Sequence, residues 1–306
     1  MSLFKDIPVP DEINDAALSG SLILFIGAGV SRLLGLPSWD ELADFALNDL
    51  CDKNLIDYSE KDQLKFLDAK KKLSISKIIA NQKRHDLNLA QYLKQDKKKA
   101  HGVYEFINKL GCACVTTNYD TYLAPQFIEE SDGSKTAAEI SRIYEKSKIF
   151  PNLLNKPGTV VHLHGSIEDQ DTMVVTTKDY LDHYEDDNIK GFLSELFERK
   201  IVLFLGYGLE EAEILEYILR KGRASKTSDR RYFAIQGYFK SQEPLFNKLS
   251  NYYKESFGVH LLGFARDFED YQGLATNIKS WVSEIKIKAP PFVDELDYLD
   301  EVLKDE

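Results

Sequence analysis

Leu22-Ile23-Leu24-Phe25-Ile26-Gly27-Ala28-Gly29 is the stretch that decides the fold. Five apolar residues in a row leave no polar face, so they read as a strand buried on both sides, as in a parallel sheet. The run leads straight into two glycines, where the chain must turn tightly. Beyond it, residues 30–36 read as a turn or short helix, and Pro37-Ser38-Trp39 opens an amphipathic one. Ser38 is its cap, and Glu41 three residues on completes a capping box. Trp39, Leu42, Phe45, Ala46 and Leu50 supply the apolar stripe.

Further apolar runs predict strands at 112–116, 159–163, 173–175, 201–205, 232–235 and 259–262. Helical spacing predicts helices over 189–198, 210–220, 243–253 and 268–285, with another starting at Thr177. Residues 52–110 are rich in Lys and Asp and carry helical spacing, including 75–84 and 103–110. They read as a helical insertion beside the sheet, while no element is assigned over 124–155. Strands alternating with helices predict an α/β fold, a Rossmann-like doubly wound parallel sheet with a helical insertion or small subdomain. The expected organisation is one domain over 1–288, with the insertion at about 52–110, and an acidic tail over 289–306.

Composition narrows the function. The 306 residues include 39 basic and 50 acidic ones, a formal net charge of -11. Such a field repels phosphate backbones, which argues against direct nucleic-acid binding. The local basic stretches, Lys70-Lys71-Lys72, Lys97-Lys98-Lys99 and 220–231, read as solvated helix faces and loops. Three cysteines cannot fill a four-cysteine zinc site, and no pair has C-x-x-C spacing. Cys112 and Cys114 alternate in an apolar run, so they read as buried strand residues of a protein in a reducing cytoplasm. Residues 1–11 hold no apolar run of signal-peptide type, and no stretch approaches the roughly 18 apolar residues of a membrane span. A cytoplasmic protein without membrane contact is expected.

In an open α/β sheet, ligands bind where the carboxyl ends of the strands open into loops. This chain's unusual residues fall at those ends. Gly27 and Gly29 suit either a plain strand-to-helix turn or a close approach of backbone N–H groups to a pyrophosphate. The position of a third dehydrogenase-type glycine is Arg32, which weakens that particular fingerprint. Asn118 and Asp120, after Thr116-Thr117, suit either an Asx-turn or the binding of a carboxamide and ribose hydroxyls. His162 and His164 lie two apart, but two histidines without a third ligand make a poor zinc site. His164-Gly165 reads instead as a base at a strand tip, with the glycine admitting substrate, and His162 as a packed neighbour.

In this order the four pieces resemble the sirtuin (SIR2-like) family: Gly27-Ala28-Gly29-Val30-Ser31, Thr116-Thr117-Asn118-Tyr119-Asp120, His164-Gly165 and Gly206-Tyr207-Gly208. The resemblance covers roughly residues 18–285 and implies NAD as substrate. It implies that Gly27, Ala28, Gly29 and Ser31 hold the phosphates and nearby ribose, and that Thr117, Asn118 and Asp120 face the nicotinamide and its ribose. It implies His164 as general base, with Gly206, Tyr207 and Gly208 lining the other nucleotide half. Gln236-Gly237 and Leu262-Gly263-Phe264 would lie near the adenine.

The departures matter as much. Zinc-ribbon deacylases carry two C-x-x-C pairs after the histidine, and here no cysteine follows Cys114, so no zinc is expected. The run Gly35-Leu36-Pro37-Ser38-Trp39 is similar to the bacterial SIR2-like group that degrades NAD in antiphage defence. The expectation is therefore an NAD hydrolase releasing nicotinamide and ADP-ribose or a cyclic form. Its expected control is assembly as a homo-oligomer or with a separately encoded defence partner. The alternatives are an NAD or ADP-ribose sensor without turnover and, further off, a protein deacylase.

Overall fold

The computed structural model describes residues 3–93, 102–123, 128–129, 135–136, 142–222 and 230–285. Six strands form the main sheet: β1 (Leu22–Ile26), β2 (Ala113–Thr116), β3 (Val160–His162), β4 (Ile201–Leu205), β5 (Tyr232–Tyr238) and β6 (Val259–Ala265). All neighbours are parallel, in the order β3-β2-β1-β4-β5-β6. That is a doubly wound Rossmann-like sheet, and the order reverses between β1 and β4.

The helices, in chain order, begin with α1 (Asp11–Ser19), α2 (Ala28–Arg32), α3 (Trp39–Asp52), α4 (Tyr58–Leu64), α5 (Ala69–Gln82) and α6 (Val103–Lys109). They continue as α7 (Thr177–Tyr184), α8 (Asp187–Arg199), α9 (Ala212–Gly222), α10 (Glu243–Phe257), α11 (Arg266–Glu269) and α12 (Gly273–Glu284). β1 shows why the sheet is covered on both faces. Leu22, Leu24 and Ile26 enter one core with residues of α1, α6 and α12, while Ile23 and Phe25 enter the other with α8, α9 and α10. Every β1 side chain is at most 3% exposed, so each apolar residue of the run is used. Burial at roughly 1.5–3 kcal/mol per such side chain makes β1 the strand that fixes the sheet.

The capping box of α3 is formed, with Glu41 N donating to Ser38 Oγ at 3.2 Å and Ser38 N to Glu41 Oε2 at 2.7 Å. α3 and α5 then pack together in their own apolar clusters beside the sheet. Residues 4–7 run along the outer edge of β6. Phe4 N donates to Gly263 O at 3.0 Å, and Ala265 N donates back to Phe4 O at 2.7 Å. Asn277 and Trp281 of α12 pin Ile7 through its N–H and carbonyl, at 2.6 and 2.7 Å.

Three expectations are corrected. Residues 173–175 form no strand: Val174 N bonds to His164 O, and Val174 O accepts from the Tyr119 hydroxyl, so no ladder forms. The single helix over 268–285 is broken where Asp270 takes φ +49, leaving α11, a short 3-10 turn and α12. Lys70-Lys71-Lys72 is not simply a solvated face. The Lys72 side chain is 5% exposed and bonds Asp44 at 2.7 Å, and Lys70 reaches Glu213 of α9 at 3.0 Å. The 97–99 stretch, most of 220–231 and the tail over 289–306 lie outside the described residues. Among the described residues, no helix is long and apolar enough to cross a membrane.

Candidate functional site

The carboxyl ends of β1 and β4 are pressed together at the reversal of strand order. Gly27 N donates to Leu205 O at 2.9 Å, and Gly29 N to Gly206 O at 2.8 Å. A Cβ on Gly27 would fall 2.6 Å from Gly206 O, and one on Gly206, at φ +59, would fall 2.5 Å from Val30 N. The contact of the two loops therefore demands these glycines, whatever ligand they also meet.

Two cavities open on either side of this contact. The larger, about 350 Å³, is lined by Gly29, Gly206, Tyr207, Gly208, Gln236 and Gly237, with Tyr238, Tyr253, Phe264 and Tyr271 as aromatic walls. The smaller, about 40 Å³, is lined by Ala28, Ser31, Trp39, Thr117, Tyr119, Asn118 and Asp120 among others. Most of the sequence-predicted residues thus divide between the two cavities, while Gly27 and His164 line neither.

Below the small cavity the polar residues hold one another. Asp120 Oδ2 accepts from Ser31 Oγ at 2.6 Å and from the Tyr104 hydroxyl at 3.2 Å, and Oδ1 accepts from Tyr122 N at 3.2 Å. Asn118 Nδ2 donates to Gly27 O at 3.0 Å and to Ser31 Oγ at 2.8 Å. Burial raises the Asp120 carboxyl above the ordinary range, and the bond from Ser31 pulls it partly back. Burial, then the Asp120 charge, lifts the Tyr104 phenol well above its usual value, which keeps it a donor. Asn118 Oδ1 takes no partner among the described residues. It can accept a hydrogen bond from a ligand in the cavity.

The histidines divide in role. His162 Nδ1 lies 2.9 Å from Asn118 O, and burial lowers its pKa to about 4. It is a neutral packed residue that braces the Asn118 backbone. His164 is fully buried and lines neither cavity. Its Nε2 lies 2.8 Å from the Tyr184 hydroxyl, and its ring meets Tyr180, His183 and Tyr184 edge-on. Burial holds its pKa well below 6.5, so it is neutral at neutral pH. Gly165 does not admit a substrate here. A Cβ there would fall 2.1 Å from Thr172 O, so the glycine serves chain packing at φ +83.

Rings connect His164 to the wall of the smaller cavity. Tyr180 lies 5.1 Å from His164 and 6.5 Å from Trp39, which edges Tyr119 at 5.9 Å. On the other side, Glu211 Oε2 stands 3.8 Å from His164 Nε2, on the segment that follows Tyr207 and Gly208. Sequence reasoning did not select Glu211, Tyr184 or Tyr104. Glu210-Glu211 read only as the start of the helix over 210–220, and Tyr104 as one more residue of the insertion.

Among the described residues no group of three or more His, Cys, Asp or Glu is arranged to hold a metal. Residues 113–260 match the family model for a SIR2-like domain, a family whose members are NAD-dependent enzymes. No curated protein matches the chain.

Proposed function

We propose, from the SIR2-like domain that this chain carries, that it is an NAD glycohydrolase, cutting the bond between nicotinamide and ribose. The observation that supports this reading most is the union of Ser31, Asn118 and Asp120, from two separate motifs, in one hydrogen-bonded floor under one cavity. The adenosine and pyrophosphate belong in the 350 Å³ cavity, against Gly29, Gly206 and Gln236. The nicotinamide belongs in the small one, against Trp39 and Tyr119, with Asn118 Oδ1 accepting from its amide or from a ribose hydroxyl.

The reaction needs little from the protein in nucleophile strength. The C1′–N bond breaks with its electron pair passing to the pyridinium nitrogen, which leaves as neutral nicotinamide. The C1′ centre gains oxocarbenium character, as in glycoside hydrolysis. Water then bonds to C1′, and His164 takes its proton directly or through a ribose hydroxyl, leaving ADP-ribose. A neutral imidazole is the right form for that task, and a positioned base is worth on the order of 100- to 10,000-fold in rate.

The closed surroundings of His164 support a resting state, opened when the chain assembles with further copies or with a separately encoded partner in antiviral defence. The same closure favours one competing reading, a sensor that binds NAD or ADP-ribose without turnover. Purified protein with near-millimolar NAD, followed by chromatography for nicotinamide, separates the two. Release that is lost in Asn118→Ala and His164→Ala fits the hydrolase. NAD binding with no release, even from the assembled form, sinks it in favour of the sensor.

A further inference from the structure

Glu211 belongs to none of the four motifs, yet it is the carboxylate nearest to His164. Its Oε2 lies 3.8 Å from His164 Nε2, and that oxygen is buried with no hydrogen-bond partner among the described residues. His164 Nδ1 is likewise buried and unpartnered, while Nε2 has the Tyr184 hydroxyl at 2.8 Å. A buried polar atom left unpaired is costly, so one on the carboxylate and one on the ring beside it call for a reason.

The charges around the pair point the same way. Lys70 of α5 is the cation that reaches this region, but its amine is engaged by Glu213 at 3.0 Å and by the Tyr180 ring at 3.7 Å. Facing the pair from α7 are Tyr180, Tyr184 and His183, and from the loop before Glu211 comes Tyr207, all of them neutral near pH 7. Glu211 is thus an acid that burial and the Glu213 charge raise and that the Tyr207 hydroxyl and the shared Lys70 charge draw back, with the His164 ring 3.8 Å from its Oε2.

We propose that Glu211 is a positioning residue for His164, holding the imidazole proton on Nε2 so that the Nδ1 lone pair is the one that accepts. A carboxylate beside one ring nitrogen favours the tautomer that carries hydrogen there, as the aspartate does in a Ser-His-Asp triad. Nε2–H then donates to the Tyr184 hydroxyl and faces the carboxylate, and the unpartnered Nδ1 is free for a proton from water or a ribose hydroxyl. When Nδ1 takes that proton, the imidazolium forms 3.8 Å from an anion instead of among rings alone. Burial raises the Glu211 pKa to about 7, so the carboxylate acts fully only above that pH.

This inference rests on the hydrolase reading for its use in catalysis, but the tautomer can be read without turnover. Nitrogen-15 spectra of histidine-labelled protein at pH 8 should show His164 protonated on Nε2 in the wild type. Glu211→Gln should move the proton towards Nδ1, because the new amide can donate to Nε2, and Glu211→Asp should keep it on Nε2. Where nicotinamide release is measurable, Glu211→Gln should lower kcat by about 10-fold or more at similar KM for NAD, and lose the rise through pH 7. A wild type already protonated on Nδ1, or a Glu211→Gln protein with the wild-type tautomer, overturns the proposal. An active site that never releases nicotinamide would instead sink the hydrolase reading and leave the tautomer result to stand by itself.

Discussion

The cavity beside β4 and β5 is about 350 Å³ and walled by rings and glycine backbone, whereas the one beside β1 and β2 is about 40 Å³ and floored by bonded polar side chains. The first already has the size of an ordinary ligand site. The second has room for roughly three waters at about 10–15 Å³ each, so a pyridine ring must part its walls to enter. One half of the site is shaped before the ligand arrives, and the other has its chemistry locked in place behind tightly packed side chains. On the hydrolase reading, that arrangement would hold a nucleotide readily and cleave it reluctantly.

Substitutions should separate the halves. The largest effect is expected at the tight one: His164→Ala and Asn118→Ala should cut nicotinamide release by about 100- to 10,000-fold while calorimetry still detects NAD binding. Binding lost together with turnover would erase the division. Acid should also strike this side first. The unfolded chain takes a proton at His162 near pH 6.5, while the folded chain resists until about 4. Stability is thus full above about 6.5 and falls as pH drops towards 4, by up to about 3 kcal/mol. Thermal melts of the wild type and His162→Gln across that range should show the variant falling less.

Gly206→Ala tests the contact that both halves share. Its Cβ would meet Val30 N at 2.5 Å, at a φ of +59 that L-residues avoid. Urea unfolding should report a loss of about 2 kcal/mol or more, with NAD affinity falling as well. The smallest effect is expected at the open half, where Gln236→Ala should raise KM for NAD about 10-fold, roughly 1.4 kcal/mol, at nearly constant kcat. A fall in kcat instead would place Gln236 with the chemistry.

Much of this scaffold was legible in the chain because β1 and β4 are buried on both faces and so carry unbroken apolar runs. The cap at Ser38 was legible for a similar reason, since its partner Glu41 is local. Residues 173–175 misled because three apolar residues in a row also suit an extended loop held by one contact at each side of Val174. Glu211 was not legible at all. Its raised pKa comes from burial and then from the nearby Glu213 charge, the imidazole beside it lies 47 positions away in the chain, and nothing in Glu210-Glu211-Ala212 distinguishes it from a solvated helix start. Tyr104 was hidden likewise, because only the return of α6 onto the sheet brings its hydroxyl to Asp120.

The run of residues 4–7 along β6 bears on how the molecule behaves in solution. An outer strand with free N–H and C=O groups is a template for pairing with other chains. Phe4 occupies those groups at Gly263 and Ala265, and α12 clamps Ile7 behind it. Trimming the first ten residues should therefore convert a closed sheet margin into an adhesive one, with aggregation as the visible result. A tag or fusion is best joined so that Phe4 keeps its seat.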